Sequence, residues 1–209
     1  MNNNFTEKML DDLREKVKSE MGEKRYFHTL EVEKMAARLG EIYAPDRISM
    51  LRAAALLHDV TKERSVEEHI DIIREVGIEV TDADKKAPKM FHARTAALVI
   101  PQKYPEFATA ELVSSVRYHT TGRANMTVEE KIIYLSDYID MSRKFDDCVE
   151  LRNYFFNFDF DSATESEKAE HLRKTLIMSY DMTLRGLIDD GKIIDKNTIE
   201  ARNHLVLEG

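Results

Sequence analysis

Apolar residues recur at three- and four-residue spacing almost from one end of this chain to the other, and that period admits little besides packed helices. Met9, Leu10, Leu13 and Val17 mark a first helix. Phe27, Leu30, Met35, Ala36 and Leu39 mark a second, ending near Gly40. Pro45 and Asp46 open a third, which carries Ile48, Leu51, Ala54, Ala55 and Leu57. Ser65-Val66-Glu67-Glu68, Thr127-Val128-Glu129-Glu130 and Ser162-Ala163-Thr164-Glu165 read as capping boxes, each opening a further helix. Residues 90–100 form another helix stopped by Pro101, residues 107–118 the next, and a short last helix starts near Asn197. Only Ile78-Glu79-Val80 hints at extended structure. The expectation is an all-α bundle of about ten helices. With no repeat and no Gly-, Ser- or Pro-rich linker, residues 1–209 read as one domain, with residues 160–209 as a C-terminal helical extension packed on it.

Composition narrows the function. Hydrophobic residues make up 43% and charged residues 33%, the balance of a globular chain. The formal net charge of −8 leaves no basic field to displace counterions from a phosphate backbone, so nucleic-acid binding is not expected. An acidic protein that binds a polyphosphate needs local compensation from a metal or from placed Lys and Arg. No apolar run approaches the roughly 18–20 residues of a membrane span, and the N-terminal stretch lacks the apolar centre of a signal peptide. The single cysteine, Cys148, cannot form an internal disulfide, and a cytoplasmic setting follows as the expectation.

The chemistry starts where the apolar run Ala53-Ala54-Ala55-Leu56-Leu57 ends in His58-Asp59. A carboxylate on so apolar a helix needs a partner, because an unpaired buried charge costs several kcal/mol or neutralises. A divalent metal is one partner; a His or Arg is another, and His-Asp alone also reads as a helix-end hydrogen bond. His28 stands at a helix start, His92 follows Met90-Phe91, His119 closes a helix before Thr120-Thr121-Gly122, and Asp137 lies mid-helix among apolar residues. Each alone reads as structural; the set carries the argument. Imidazole and carboxylate suit iron, manganese or zinc, and one cysteine excludes a thiolate zinc site.

In order along the chain, His28, His58-Asp59 and Asp137 resemble the H…HD…D signature of the HD superfamily of metal-dependent phosphohydrolases. His92 and His119 resemble the additional histidines of its fuller form, which can hold two metals. Arg25-Tyr26-x-His28-Thr29-Leu30, His58-Asp59-x-x-Lys62, His119-Thr120-Thr121-Gly122, Lys131–Ile139 and Thr198–Asn203 look like the YqeK branch. The likeness covers roughly residues 20–204. It departs after the Asp137 helix, where Asp140-Met141-Ser142-Arg143 stands in place of a Glu-Pro pair and a Gly, although the Arg is kept. The resemblance implies an all-helical enzyme that cuts diadenosine tetraphosphate symmetrically into two ADP, with iron as the usual metal and manganese or another divalent ion as alternatives.

By matching positions, His28, His58, Asp59 and Asp137 would hold the principal metal. His92 and His119 would bind a second metal, clamp phosphate, or supply a general acid. The mechanism this implies is in-line attack of metal-bound hydroxide on an inner phosphorus, with Asp59 orienting the water. Lys62, Arg25, Thr120, Thr121 and Arg143 are phosphate candidates, each also readable as an ordinary surface or capping residue. Tyr134 and Tyr138 read as core more than as base-stacking groups, and Gly191-Lys192-Ile193-Ile194 as a loop able to lie against a nucleoside. His69, His171 and His204 read as outside the site, and Asp146, Asp147 and Glu150 as a solvated face. Two other functions stay open: a phosphatase for nucleoside mono- or triphosphates, and a nucleotide sensor without turnover. A homodimer is the base-rate expectation.

Overall fold

A computed structural model describes residues 5–209. Its described residues form eleven α-helices and no strand. These are α1 (Glu7–Lys18), α2 (Glu23–Tyr43), α3 (Ile48–Leu57), α4 (Val66–Glu75), α5 (Asp82–Lys86) and α6 (Phe91–Lys103), followed by α7 (Ala110–Tyr118), α8 (Val128–Ile139), α9 (Asp146–Phe156), α10 (Glu165–Asp189) and α11 (Lys196–Leu207). Short 3-10 turns, each begun by a proline, precede α3, α6 and α7. Proline fits such starts, because its fixed φ suits a first turn whose N–H has no partner.

The bundle is organised around α3. Met50, Leu51 and the run from Ala53 to Leu57 are all buried. A helix apolar on most sides belongs inside, and α3, with Arg52 on its one polar side, packs on α1, α2, α7 and α8. Burying a leucine such as Leu56 or Leu57 is worth roughly 1.5–3 kcal/mol, enough to fix the helix that ends in His58-Asp59. Gly40 does not end α2, which runs on to Tyr43. It lies where α3 crosses closely: a Cβ there would stand 2.9 Å from Leu51 Cδ1.

Other boundaries also differ from expectation. Pro101 sits inside the last turn of α6 instead of stopping it, and the end is closed by Tyr104 N–H on Ile100 O at 2.8 Å. The third capping box is Thr164 with Glu167, starting after Ser162 and not at it. Asp146, Asp147 and Glu150, read as a solvated face, lie on α9, an element the periodicity did not mark, whose Cys148, Leu151 and Phe155 are buried. Helices α10 and α11 contribute Leu172, Leu176, Tyr180, Ala201 and Leu205 to the same core as α3.

Candidate metal centre

Five packed elements bring their polar residues to one point. His58 and Asp59 end α3, His28 lies in the second turn of α2, and Asp137 lies near the end of α8. His92 opens α6 and His119 caps α7. All six expected positions therefore meet around the Asp59 carboxylate, which is 2% exposed.

The two Asp59 oxygens face different groups. Oδ2 lies 2.7 Å from Arg25 Nη1, 3.4 Å from His58 Nε2 and 3.9 Å from His28 Nε2. Oδ1 lies 3.2 Å from His92 Nε2, 3.6 Å from Lys62 Nζ and 3.8 Å from His119 Nε2. Asp137 Oδ1 stands 3.0 Å from His28 Nε2 and 3.8 Å from His58 Nε2.

Hydrogen bonding fixes which ring nitrogen faces inward. His58, His92 and His119 each place Nδ1 at 2.6–2.7 Å from the backbone carbonyl three residues earlier, on Ala55, Lys89 and Val116. A carbonyl only accepts, so Nδ1 carries a proton in each of the three rings, and in the neutral form of the ring Nε2 presents a lone pair to the centre. This is the orientation that metal-bound histidines need. Among the described residues His28 Nε2, His58 Nε2 and Asp59 Oδ1 are buried without a hydrogen-bond partner, although carboxylate oxygens lie close to both nitrogens. His92 and His119 bring their Nε2 atoms to 3.0 Å, lone pair against lone pair, a contact that a shared proton or a cation relieves. Ligand atoms roughly 2.1 Å from one ion stand about 3.0–3.4 Å apart, the spacing of His58 and His92 from Asp59 and of His28 from Asp137, while the remaining His pairs with these two carboxylates stand at 3.8–3.9 Å. The donors present thus fit a divalent ion: His28, His58 and Asp137 form one possible ligand group, and His58, Asp59 and His119 another.

The electrostatics agree. Burial pushes the carboxyls of Asp59 and Asp137 up, yet both are held well below the usual range, Asp59 by His58, Lys62 and His92, and Asp137 by Arg143, His28 and His58. The buried Asp59 and the partly buried Asp137 carboxylates remain charged and call for positive charge between them. Burial pulls His92 well below its ordinary value, and burial with the nearby His58 pulls His119 down to about 4. Both rings are neutral near pH 7. Burial also opposes charge on His28, but Asp137 and Asp140 outweigh it and raise the ring to about 9.

The expected phosphate contacts divide. Lys62 Nζ reaches His92 Nε2 at 3.0 Å, and Thr120 Oγ1 lies 3.3 and 3.2 Å from the Nε2 atoms of His92 and His119. Arg25 and Arg143 sit on the Asp59 and Asp137 carboxylates, Arg143 at 2.5 Å, with about 30% of each side chain exposed to the groove. That groove, about 690 Å³, is lined by both arginines, His28 and the exposed rings of Phe27 and Phe145. Thr121 turns away: its hydroxyl donates to Gly122 O at 2.9 Å.

Two residues escaped the sequence reading. Asp140, fully buried at the end of α8, has Oδ2 3.4 Å from His28 Nδ1, and Ser142 Oγ lies 2.9 Å from the same nitrogen. Ser142 N–H donates to Asp140 Oδ1 at 2.8 Å, closing an Asx turn. A second carboxylate ending so apolar a helix was the available signal. His69 also departs from its surface reading. It is buried, with Nδ1 2.8 Å from Thr95 Oγ1, whose hydroxyl neighbours Thr61 at 2.9 Å; it supports the α4–α6 packing outside the centre. His171 is structural, stacked on Phe158 at 4.2 Å. Tyr134 is core, stacked on Tyr180 at 4.7 Å.

A helical bundle with this His/Asp centre defines a class, and the model of the HD domain family matches residues 25–142. The chain belongs to the HD domain family, in the YqeK-type branch that the sequence motifs resembled. A relative from Bacillus subtilis named bis(5′-nucleosyl)-tetraphosphatase, symmetrical, is 35% identical over 65% of this chain and 72% of its own length. One of the same name from Halalkalibacterium halodurans is 29% identical over 92% of this chain and 94% of its own. A crystal structure from Clostridium acetobutylicum, described as a predicted HD superfamily hydrolase involved in NAD metabolism, superposes with a TM-score of 0.81 at 33% identity. That match covers 99% of this chain and 100% of the other.

Proposed function

We propose that this protein hydrolyses dinucleoside tetraphosphates symmetrically, releasing two nucleoside diphosphates, with diadenosine tetraphosphate giving two ADP. The observation that carries the reading is the convergence of inward-facing imidazole nitrogens on two charged carboxylates, the buried Asp59 and the partly buried Asp137, in a chain whose relatives are named for this reaction. His28, His58, Asp59 and Asp137 would hold the principal divalent ion, with iron as the proposed metal and manganese as the alternative, and His92 with His119 would hold a second. Such an ion supplies a Lewis-acid charge for a phosphoryl oxygen and acidifies water near it.

The protein's own groups bind and orient. Arg25, Lys62 and Arg143 border the centre and offer N–H donors to phosphate oxygens, which answers the demand for local positive charge in a chain of net charge −8. Thr120 offers a hydroxyl beside His92 and His119. Neutral His92 and His119, if not ligating, accept a proton at Nε2 during attack or return it to the leaving phosphate. Catalysis of this type rests on positioning and charge stabilisation more than on covalent chemistry.

The test is turnover of diadenosine tetraphosphate, a nucleoside triphosphate and a nucleoside monophosphate side by side. The proposal expects the dinucleotide to be the best substrate and ADP its only nucleotide product. Cleavage of the monophosphate alone would replace this reading with the phosphatase one.

A further inference from the structure

Behind the two outer histidines lies a second, more enclosed cavity of about 250 Å³. Met90 and Arg94 border it from the α6 side, Arg117 from α7, Thr121 from the turn that follows, and Ile193 and Asp195 from the loop before α11. On a helix, residues two apart face different ways, so Arg94 and Arg117 look away from the side that carries His92 and His119. The cavity and the metal centre therefore lie on two sides of the same helix pair. They meet at one turn, where Thr120 touches both histidines and Thr121 lines the cavity.

Arg117 is the one cation lining the cavity without a carboxylate partner among the described residues. Arg14 and Arg52 share Glu33, Arg94 pairs with Asp84 at 2.6 Å, and Arg143 pairs with Asp137. Arg117 is half-buried, and among the described residues it makes no ion pair and no hydrogen bond. Its guanidinium lies over the Tyr118 ring at 5.1 Å, and its N–H groups, unpaired within the described residues, are free to donate to acceptor atoms in the cavity. The surrounding wall is mixed. Met90, Ala93 and Ile193 are apolar, while Asp195 uses Oδ1 to accept from Asn197 N–H at 2.7 Å and keeps its second oxygen free of hydrogen bonds among the described residues. Flat apolar faces with acceptor nitrogens and an amino donor at the edge are the features of a nucleobase. The volume is below the roughly 300–1,000 Å³ of sites that hold drug-sized ligands, so one base with its sugar fits and a dinucleotide does not.

We propose that this cavity seats one nucleoside of the dinucleotide, a deepening that rests on the function proposed above. Arg117 donates to ring acceptors of the base, Asp195 accepts from its amino group, and Met90 and Ile193 pack on its faces. The phosphates pass the Thr120–Thr121 turn to reach His92, His119 and Lys62. Symmetrical cleavage leaves the other half to the open groove at Phe27 and Phe145, so a symmetrical substrate is read by two unlike compartments.

Titration calorimetry of the metal-loaded protein with ADP and with inorganic pyrophosphate tests this. Wild type should hold ADP more tightly than pyrophosphate. Loss of a charged hydrogen bond is worth roughly 1.5–3 kcal/mol, so Arg117→Ala should weaken ADP by about tenfold or more. Pyrophosphate binding should stay unchanged. Ile193→Glu, at a position already 40% exposed and so safe for folding, should act the same way. Variants that bind ADP like wild type overturn the assignment. So does an equal loss of both ligands, or a wild type that holds ADP no better than pyrophosphate. Absence of diadenosine tetraphosphate cleavage by a wild type that passes this binding test would instead remove the proposed function, which makes the two failures distinguishable.

Discussion

Gly122 shapes the turn that places Thr120 against His92 and His119, and replacing it with alanine should be costly for two separable reasons. Its φ is +62°, a left-handed conformation that costs an L-residue roughly 1–2 kcal/mol. An added Cβ would also collide with the Tyr180 hydroxyl and stand 2.9 Å from Tyr180 Cζ and 3.1 Å from Ala201 Cβ. Tyr180 is 0% exposed and stacked on Tyr134, so it cannot swing aside. Overpacking of this kind costs typically about 1–3 kcal/mol, which brings the expected loss for Gly122→Ala to roughly 2–5 kcal/mol. Gly77 is the control: its φ is +75°, but nothing lies within 4 Å of its Cβ position. Gly77→Ala should pay only the backbone cost, about 1 kcal/mol after the stiffer unfolded chain is counted. Urea unfolding of both variants measures the difference. Tyr180→Phe removes the nearest colliding atom, so the Gly122→Ala/Tyr180→Phe pair should be less destabilised than the sum of its single changes. Equal losses for Gly122→Ala and Gly77→Ala would refute the packing argument, and additive behaviour of the pair would refute the role of Tyr180.

Three further outcomes follow from particular contacts. Glu33, 5% exposed, accepts from Arg14 Nε at 2.9 Å and Arg52 Nε at 3.0 Å, and Glu33→Ala should cost roughly 3 kcal/mol in chemical unfolding. The loss stays near the low end because the two arginines keep Asp11 and Glu7, and metal content should not change. Asp140→Asn should weaken metal binding by about 10–100-fold, read by chelator competition, since Asp140 backs the proposed ligand His28; unchanged affinity would remove it from that role. His171 has its folded pKa lowered by burial, so below its unfolded value of about 6.5 the unfolded chain binds the proton more readily. That contribution to stability is present above about pH 6.5 and is lost as pH falls through it. The drop in unfolding midpoint between pH 7 and 5.5 should therefore shrink in His171→Gln, and an unaltered slope would contradict the assignment.

Much of the candidate centre was legible before the fold, because its His and Asp residues interrupt apolar helical patterns as a set, although each alone reads as structural. His58-Asp59 at the end of the Ala53–Leu57 run is the clearest case, and the structure brings His28, His92, His119 and Asp137 to it. The helical class was readable for the same reason. What the pattern missed depends on contacts between distant elements. Gly40 looked like a stop, since a glycine cut for close approach by α3 is locally the same as one that ends a helix. His69 looked exposed among Glu67, Glu68 and Asp71, because its burial comes from α6 packing across it at Thr95. Asp140 and Ser142 were passed over as a loop, although together they orient His28. The phosphate roles of Arg25 and Arg143 looked simpler than they are, since each cation is already shared with a carboxylate.

The most direct test of the account measures bound metal and reaction product in one sample, purified without added metal and kept from oxygen, for wild type and His58→Ala. The account predicts bound iron or manganese in wild type, ADP as the sole nucleotide product from diadenosine tetraphosphate, and loss of metal and turnover together in His58→Ala. Turnover that survives in His58→Ala, or AMP with ATP as the products, would contradict it.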